Sequence, residues 1–175
     1  MTSIEREMKV ILLTHEREVD RPTNTGILAL NLYPQWCSRV IWSRVDSNKE
    51  VLTLLASTQA AVLFPKAETA LESGEEVNLN LELDSKTQYL DSPPQTIIIL
   101  DATWQEARKM LRQSPYLKVA KKFALSQQTS SQFNLRRNQI QGGLCTVECI
   151  IEMCHLVGMN TEAIELEQIF SEFNQ

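Results

Sequence analysis

The apolar run TIIIL at residues 96–100 stops at Asp101, and Ala102, Thr103 and Trp104 lead at once into a helical pattern. A carboxylate so placed lies near the free N–H groups of a helix's first turn, which favour its ionised form. Two roles suit it: a cap for the helix with Trp104 in the core, or a carboxylate that binds a ligand or moves a proton. His15 closes another apolar run beside Glu16 and Glu18, and the ends of parallel strands are where sites form. His155, the other histidine, falls inside an amphipathic pattern and reads as a helix-face residue. Gly142-Gly143, just ahead of a helix near Thr146, would let a ligand approach a helix N-terminus closely.

Other chemistries lack support. Cys37, Cys145, Cys149 and Cys154 do not form the paired two-to-four-residue spacing of a tetrahedral zinc site, so they read as small apolar residues of a reduced core. No G-x-G-x-x-G, P-loop or G-x-S-x-G is present, which removes the motif basis for dinucleotide, ATP-hydrolysis and Ser-hydrolase readings.

The elements that must position these residues follow from periodicity. Short apolar runs at 8–14, 39–42, 60–65, 96–100 and 122–125 read as strands. Helical patterns occupy 25–32, with Asn24 or Thr23 as cap, then 49–55, 67–73 (closed by Gly74), 104–112, 146–157 and 161–170. Residues 75–89 alternate without deciding between strand and loop, and 126–143 form a polar loop. The alternation implies a single α/β domain over 1–175 with a mainly parallel sheet and flanking helices. The β-branched run at 96–100 belongs at its centre, covered on both faces. The polar clusters after the strands then converge on one rim.

Charge is segregated. The net charge is −5, yet no Asp or Glu occurs from 107 to 147, where Arg108, Lys109, Arg112, Lys118, Lys121, Lys122, Arg136 and Arg137 fall. Six glutamates and no Lys or Arg follow from 148 onward. A basic block beside an acidic helical tail suits one face turned to a polyanion, unless the fold scatters the cations. No apolar run spans a membrane and the N-terminus lacks a signal-peptide core, so a cytoplasmic location is expected. The apolar stripe Ile164, Leu166, Ile169, Phe170 and Phe173 could pack within the fold or across a dimer, which leaves the oligomeric state open.

Three segments together resemble the DTW-domain family. They are Asp101-Ala102-Thr103-Trp104 within LDATWQEARKML; His15 to Gly26 (HEREVDRPTNTG); and Phe133-Asn134-Leu135-Arg136-Arg137 followed by Cys145-Thr146-Val147-Glu148. The likeness covers a core of about 8–158, with a C-terminal helix at about 161–173 beyond it.

The resemblance implies a tRNA-uridine aminocarboxypropyltransferase of SPOUT-like fold with a C-terminal trefoil knot. Such an enzyme would move the 3-amino-3-carboxypropyl group of S-adenosylmethionine to N3 of a uridine and leave 5'-methylthioadenosine. On that basis Asp101, Thr103 and Trp104 are the catalytic candidates, with Asp101 either accepting the N3 proton or only orienting the base. Leu63, Phe64, Pro65, Leu100, Leu144, Cys145 and Thr146 are the candidate cofactor cradle. His15, Arg21, Thr25, Arg136 and Arg137 are the candidate contacts to tRNA. Cysteine pairs that many members carry upstream of the first strand are absent here, so no metal is expected. A SPOUT-type methyltransferase and a non-enzymatic RNA-binding module are the rival readings.

Overall fold

A computed structural model describes residues 8–66, 87–125, 131, 133 and 144–175. The expected helix at 67–73, most of the ambiguous stretch at 75–89, and nearly all of the loop at 126–143 lie outside the described residues, as do Arg136, Arg137, Gly142 and Gly143.

The apolar runs become five strands: β1 (Lys9–Thr14), β2 (Cys37–Ile41), β3 (Ala60–Leu63), β4 (Thr96–Asp101) and β5 (Lys122–Phe123). All pair in parallel in the order β2-β1-β4-β3-β5, which puts the β-branched run of β4 at the centre as its composition required. Among the described residues six helices accompany them: α1 (Gly26–Leu32), α2 (Lys49–Ala56), α3 (Trp104–Gln113), α4 (Pro115–Val119), α5 (Thr146–Leu156) and α6 (Asn160–Phe173).

Side chains alternate across a strand, so each strand feeds two cores. Val10, Leu12, Cys37, Ala61, Ile97, Ile99 and Phe123 pack against α1, α5 and α6. Ile11, Leu13, Val62 and Ile98 pack on the opposite side with residues of α2, α3 and α4. The result is a three-layer α/β/α domain. On α6, Ala163, Leu166 and Phe170 are buried and Phe173 stacks near Phe133, so most of the apolar stripe packs within the fold, while Ile164 stays 60% exposed.

Two details differ from expectation. The short helix α4 follows from Pro115 at the first helical position after Ser114, a start signal that suits proline because that N–H has no helical partner. Lys122, counted in the basic block, is buried. Its ammonium donates to the carbonyls of Leu117 (2.6 Å), Ala120 (2.6 Å) and Lys118 (3.2 Å), closing α4 from beneath. Burial lowers its pKa to about 8.

A candidate active site at the carboxyl rim of the sheet

Alternation also decides where the rim side chains point. Thr14 shares the parity of Leu12 on β1, Arg39 that of Cys37 on β2, and Asp101 that of Ile99 on β4. All three therefore face the side of the sheet covered by α1 and α5, and Thr14 lies directly opposite Asp101 in the register.

Asp101 is fully buried there, and its own chain supplies partners to both oxygens. Oδ1 accepts from Thr146 Oγ1 (2.8 Å) and Asn24 Nδ2 (3.0 Å). Oδ2 accepts from Thr14 Oγ1 (2.9 Å), with Asn24 Nδ2 at 3.2 Å and the Arg39 guanidinium at 3.5 Å. Arg39 also donates to Thr14 Oγ1 and Asn24 Oδ1. Burial pushes the carboxyl above its ordinary value; the hydrogen bonds from Thr146 and Thr14 pull it back without cancelling that effect. The helix does not take Asp101 as its cap, and burial rather than a helix N-terminus dominates its titration.

Two helix starts close over this carboxylate. Thr25 Oγ1, itself buried, accepts from Val147 N–H at 3.1 Å and so joins α1 to α5. Gly26 is fixed by space: a Cβ there would meet Leu12 at 2.8 Å and Asp101 Oδ2 and Thr146 at 3.3 Å. Asn24 Oδ1 satisfies the Ile27 N–H in the first turn of α1, the service expected of a cap. Glu148 completes the start of α5, accepting from Cys145 N–H (3.0 Å) and Ser131 Oγ (2.6 Å).

The other letters of the motif have equally definite places. Thr103 caps α3 in a reciprocal box: its hydroxyl accepts from Glu106 N–H and its own N–H donates to Glu106 Oε1. Trp104 stacks on Phe64 with centroids 5.5 Å apart, while its indole N–H is buried without an acceptor among the described residues.

Arg21 forms a two-pronged pair with Glu106, 2.8 Å on each side, and reaches Glu18 at 2.5 Å. Hydrogen bonding to Glu106 holds the guanidinium above its ordinary value, opposed by burial. Burial alone would raise Glu106, but Arg21 and the Thr103 N–H outweigh it and hold Glu106 at about 2. Glu18 also accepts from Asn24, linking this brace to the Asp101 network.

His15 is 8% exposed, stacks on Trp42 with centroids 5.5 Å apart, and accepts at Nδ1 from the Arg17 N–H at 3.1 Å.

The expected catalytic residues thus share one turn, but Asp101 and Thr103 are engaged by their own chain. Of the expected RNA contacts, Thr25 is interior and Arg21 is paired with two carboxylates. The expected cradle is divided. Leu63 packs with Cys145 on the α5 side, whereas Phe64 and Leu100 pack on the α3 side; Pro65 O accepts from Tyr89. Glu18 and Asn24 stood in the segment His15 to Gly26, and Glu106 carried the T-x-x-E spacing of a capping box, whereas Thr14 and Arg39 were not anticipated at the site.

The cysteines are free, with Cys37, Cys145 and Cys154 buried. Burial pushes the thiols of Cys37, Cys149 and Cys154 up to about 12. Among the described residues no group of three or more His, Cys, Asp or Glu is placed to hold a metal, and no helix is long and apolar enough to cross a membrane.

Fold and rim together define a parallel-sheet α/β domain with a polar, hydrogen-bonded centre at the carboxyl ends of β1 and β4. A DTW domain matches residues 1–175, and the chain belongs to the DTW-domain family. It is 29% identical over 143 residues to the tRNA-uridine aminocarboxypropyltransferase 2 of Mus musculus, a match covering 79% of this chain and 44% of the relative. The protein of the same description from Macaca fascicularis gives the same identity and coverage. The chain thus spans less than half the length of these curated relatives. No solved structure matches.

Proposed function

We propose that this chain transfers the 3-amino-3-carboxypropyl group of S-adenosylmethionine to N3 of a uridine in tRNA and releases 5'-methylthioadenosine. The observation that carries the reading is the meeting of motif segments far apart in sequence. Asn24 and Thr146, 77 and 45 residues from Asp101, converge on its carboxylate at the rim where ligands of parallel sheets bind. The relatives' names support transfer of an aminocarboxypropyl group to a tRNA uridine, and the donor and the N3 position come from the family resemblance.

The residues present fit an adenosyl sulfonium donor. The Trp104 indole N–H, buried without an acceptor beside Phe64, has the character of a group whose polar partner is a ligand. The Phe64–Trp104 stack would hold it. When bound, the donor supplies a carbon already attached to a good leaving group, so the protein's task is orientation. In this reading Asp101 is a positioning residue. A base must lie within hydrogen-bond reach of the proton it takes, and both Asp101 oxygens face their own chain. Arg21 likewise braces the DTW turn rather than gripping phosphate.

Incubation with carboxypropyl-labelled S-adenosylmethionine and unmodified tRNA, followed by nucleoside analysis, tests the proposal. Label on uridine with methylthioadenosine released is the expected result. S-adenosylhomocysteine would mean a methyltransferase, and RNA binding without either product a non-enzymatic module.

A further inference from the structure

Most polar side chains described around Asp101 are engaged by a neighbour; the Trp104 indole N–H and one ring nitrogen of His15 are not, among the described residues. Asp101, Thr14, Asn24 and Arg39 bind one another, and Arg21, Glu18, Glu106 and Thr103 form the adjoining brace. His15 stands between the two groups. Its backbone N–H donates to the Asp101 backbone carbonyl at 3.2 Å, and its Nδ1 lies 4.0 Å from Glu106 Oε2. Because Nδ1 accepts from the Arg17 N–H, the neutral ring carries its proton on Nε2. Stacking on Trp42 fixes the ring plane, and Trp42 is itself pinned by its N–H to Ser114 Oγ at 2.8 Å. Nε2 has no partner among the described residues. The residue is more than nine-tenths buried, so its open nitrogen is an oriented donor with little water around it.

We propose that His15 donates its Nε2–H to a carbonyl oxygen flanking N3 of the target uracil. This rests on the transferase reading above. Uracil N3 is a weak nucleophile while protonated, and as it releases its proton the negative charge spreads onto the flanking oxygens. A preorganised N–H aimed at one of them stabilises that charge where it develops. In the transfer, the N3–carbon bond forms as the carbon–sulfur bond of the donor breaks. Sulfur keeps the electron pair and leaves as the thioether, and the N3 proton goes to water. His15 keeps its own proton throughout. The histidine is thus the group that touches the reacting base, and the Asp101 network sets its backbone.

The test uses the full chain with unmodified tRNA. His15→Phe keeps an aromatic ring over Trp42 and removes the donor; His15→Gln restores an N–H at nearly the same reach. His15→Phe should bind tRNA as wild type does but lose on the order of 100-fold in single-turnover rate, and His15→Gln should regain most of that loss. A wild-type rate in His15→Phe overturns the proposal, as does a loss of tRNA affinity that accounts for the whole rate defect. Nitrogen-15 spectra of the two histidines give an answer independent of turnover and of variant folding. A neutral Nε2–H tautomer for His15 whose signal moves when tRNA is added is the expected result. An Nδ1–H tautomer, or an unmoved signal, overturns it. Inactivity of the wild-type chain, by contrast, would reject the transferase reading itself.

Discussion

Thr146 Oγ1, in the first turn of α5, donates to Asp101 Oδ1 at the end of β4 across 2.8 Å. That bond fastens a helix start to the centre of the sheet, and it makes the aspartate of the DTW turn part of the architecture.

Asp101→Asn separates architecture from acid–base chemistry. An amide presents N–H groups to Asn24 Nδ2 and Arg39, which can only donate toward it. The variant should lose about 3 kcal/mol of stability, read as a lower urea midpoint without any ligand. A solvent-facing base would lose activity at unchanged stability.

Gly26→Ala should destabilise by about 1–3 kcal/mol, since the new methyl meets Leu12 at 2.8 Å with two further neighbours at 3.3 Å. Thermal unfolding measures it. A neutral result would mean that α1 can lift away from Asp101 freely.

The Arg21–Glu106 pair gives a pH dependence with a definite sign. Glu106 is depressed from 4.5 to about 2 in the folded chain. Its contribution is therefore present above the unfolded value and is lost as pH falls from about 4.5 toward 2. Urea midpoints across that interval should fall less steeply in Glu106→Gln than in wild type. Arg21→Met should lower stability while leaving the salt dependence of tRNA binding unchanged. A phosphate contact would instead reduce that slope by about 0.7–0.9.

Trp104→Phe keeps a ring against Phe64 and deletes the N–H that has no acceptor among the described residues. Stability should hold or rise by about 1 kcal/mol, while affinity for S-adenosylmethionine, read by calorimetry, should drop about tenfold, about 1.4 kcal/mol. Unchanged affinity would remove the indole from the donor site.

Much of the fold was legible because parallel strands buried on both faces leave unbroken apolar runs, and β4 announced its central place in this way. The short helix α4 escaped because its five residues are too few for periodicity, although Ser114-Pro115 marked its start. At the site, the positions of Asp101 and His15 were readable as strand ends. Their partners were not. Thr14 and Arg39 reach Asp101 only through a register between β1, β2 and β4 that no local pattern specifies. Thr146 arrives from a helix 45 residues downstream. Lys122 shows the limit for charge: its place in a basic block said nothing about a strand parity that turns it under α4.

The seam at Thr25 and Val147, with Thr146 beside it, also bears on the order in which the chain matures. Asp101 lies in the middle of the sequence, but one of its four side-chain donors and the cover over Gly26 come from α5. Until that helix docks, a carboxylate at the heart of the sheet remains incompletely sheltered from water. Completion of the site therefore requires α5, and synthesis of residues well beyond the DTW turn must precede it.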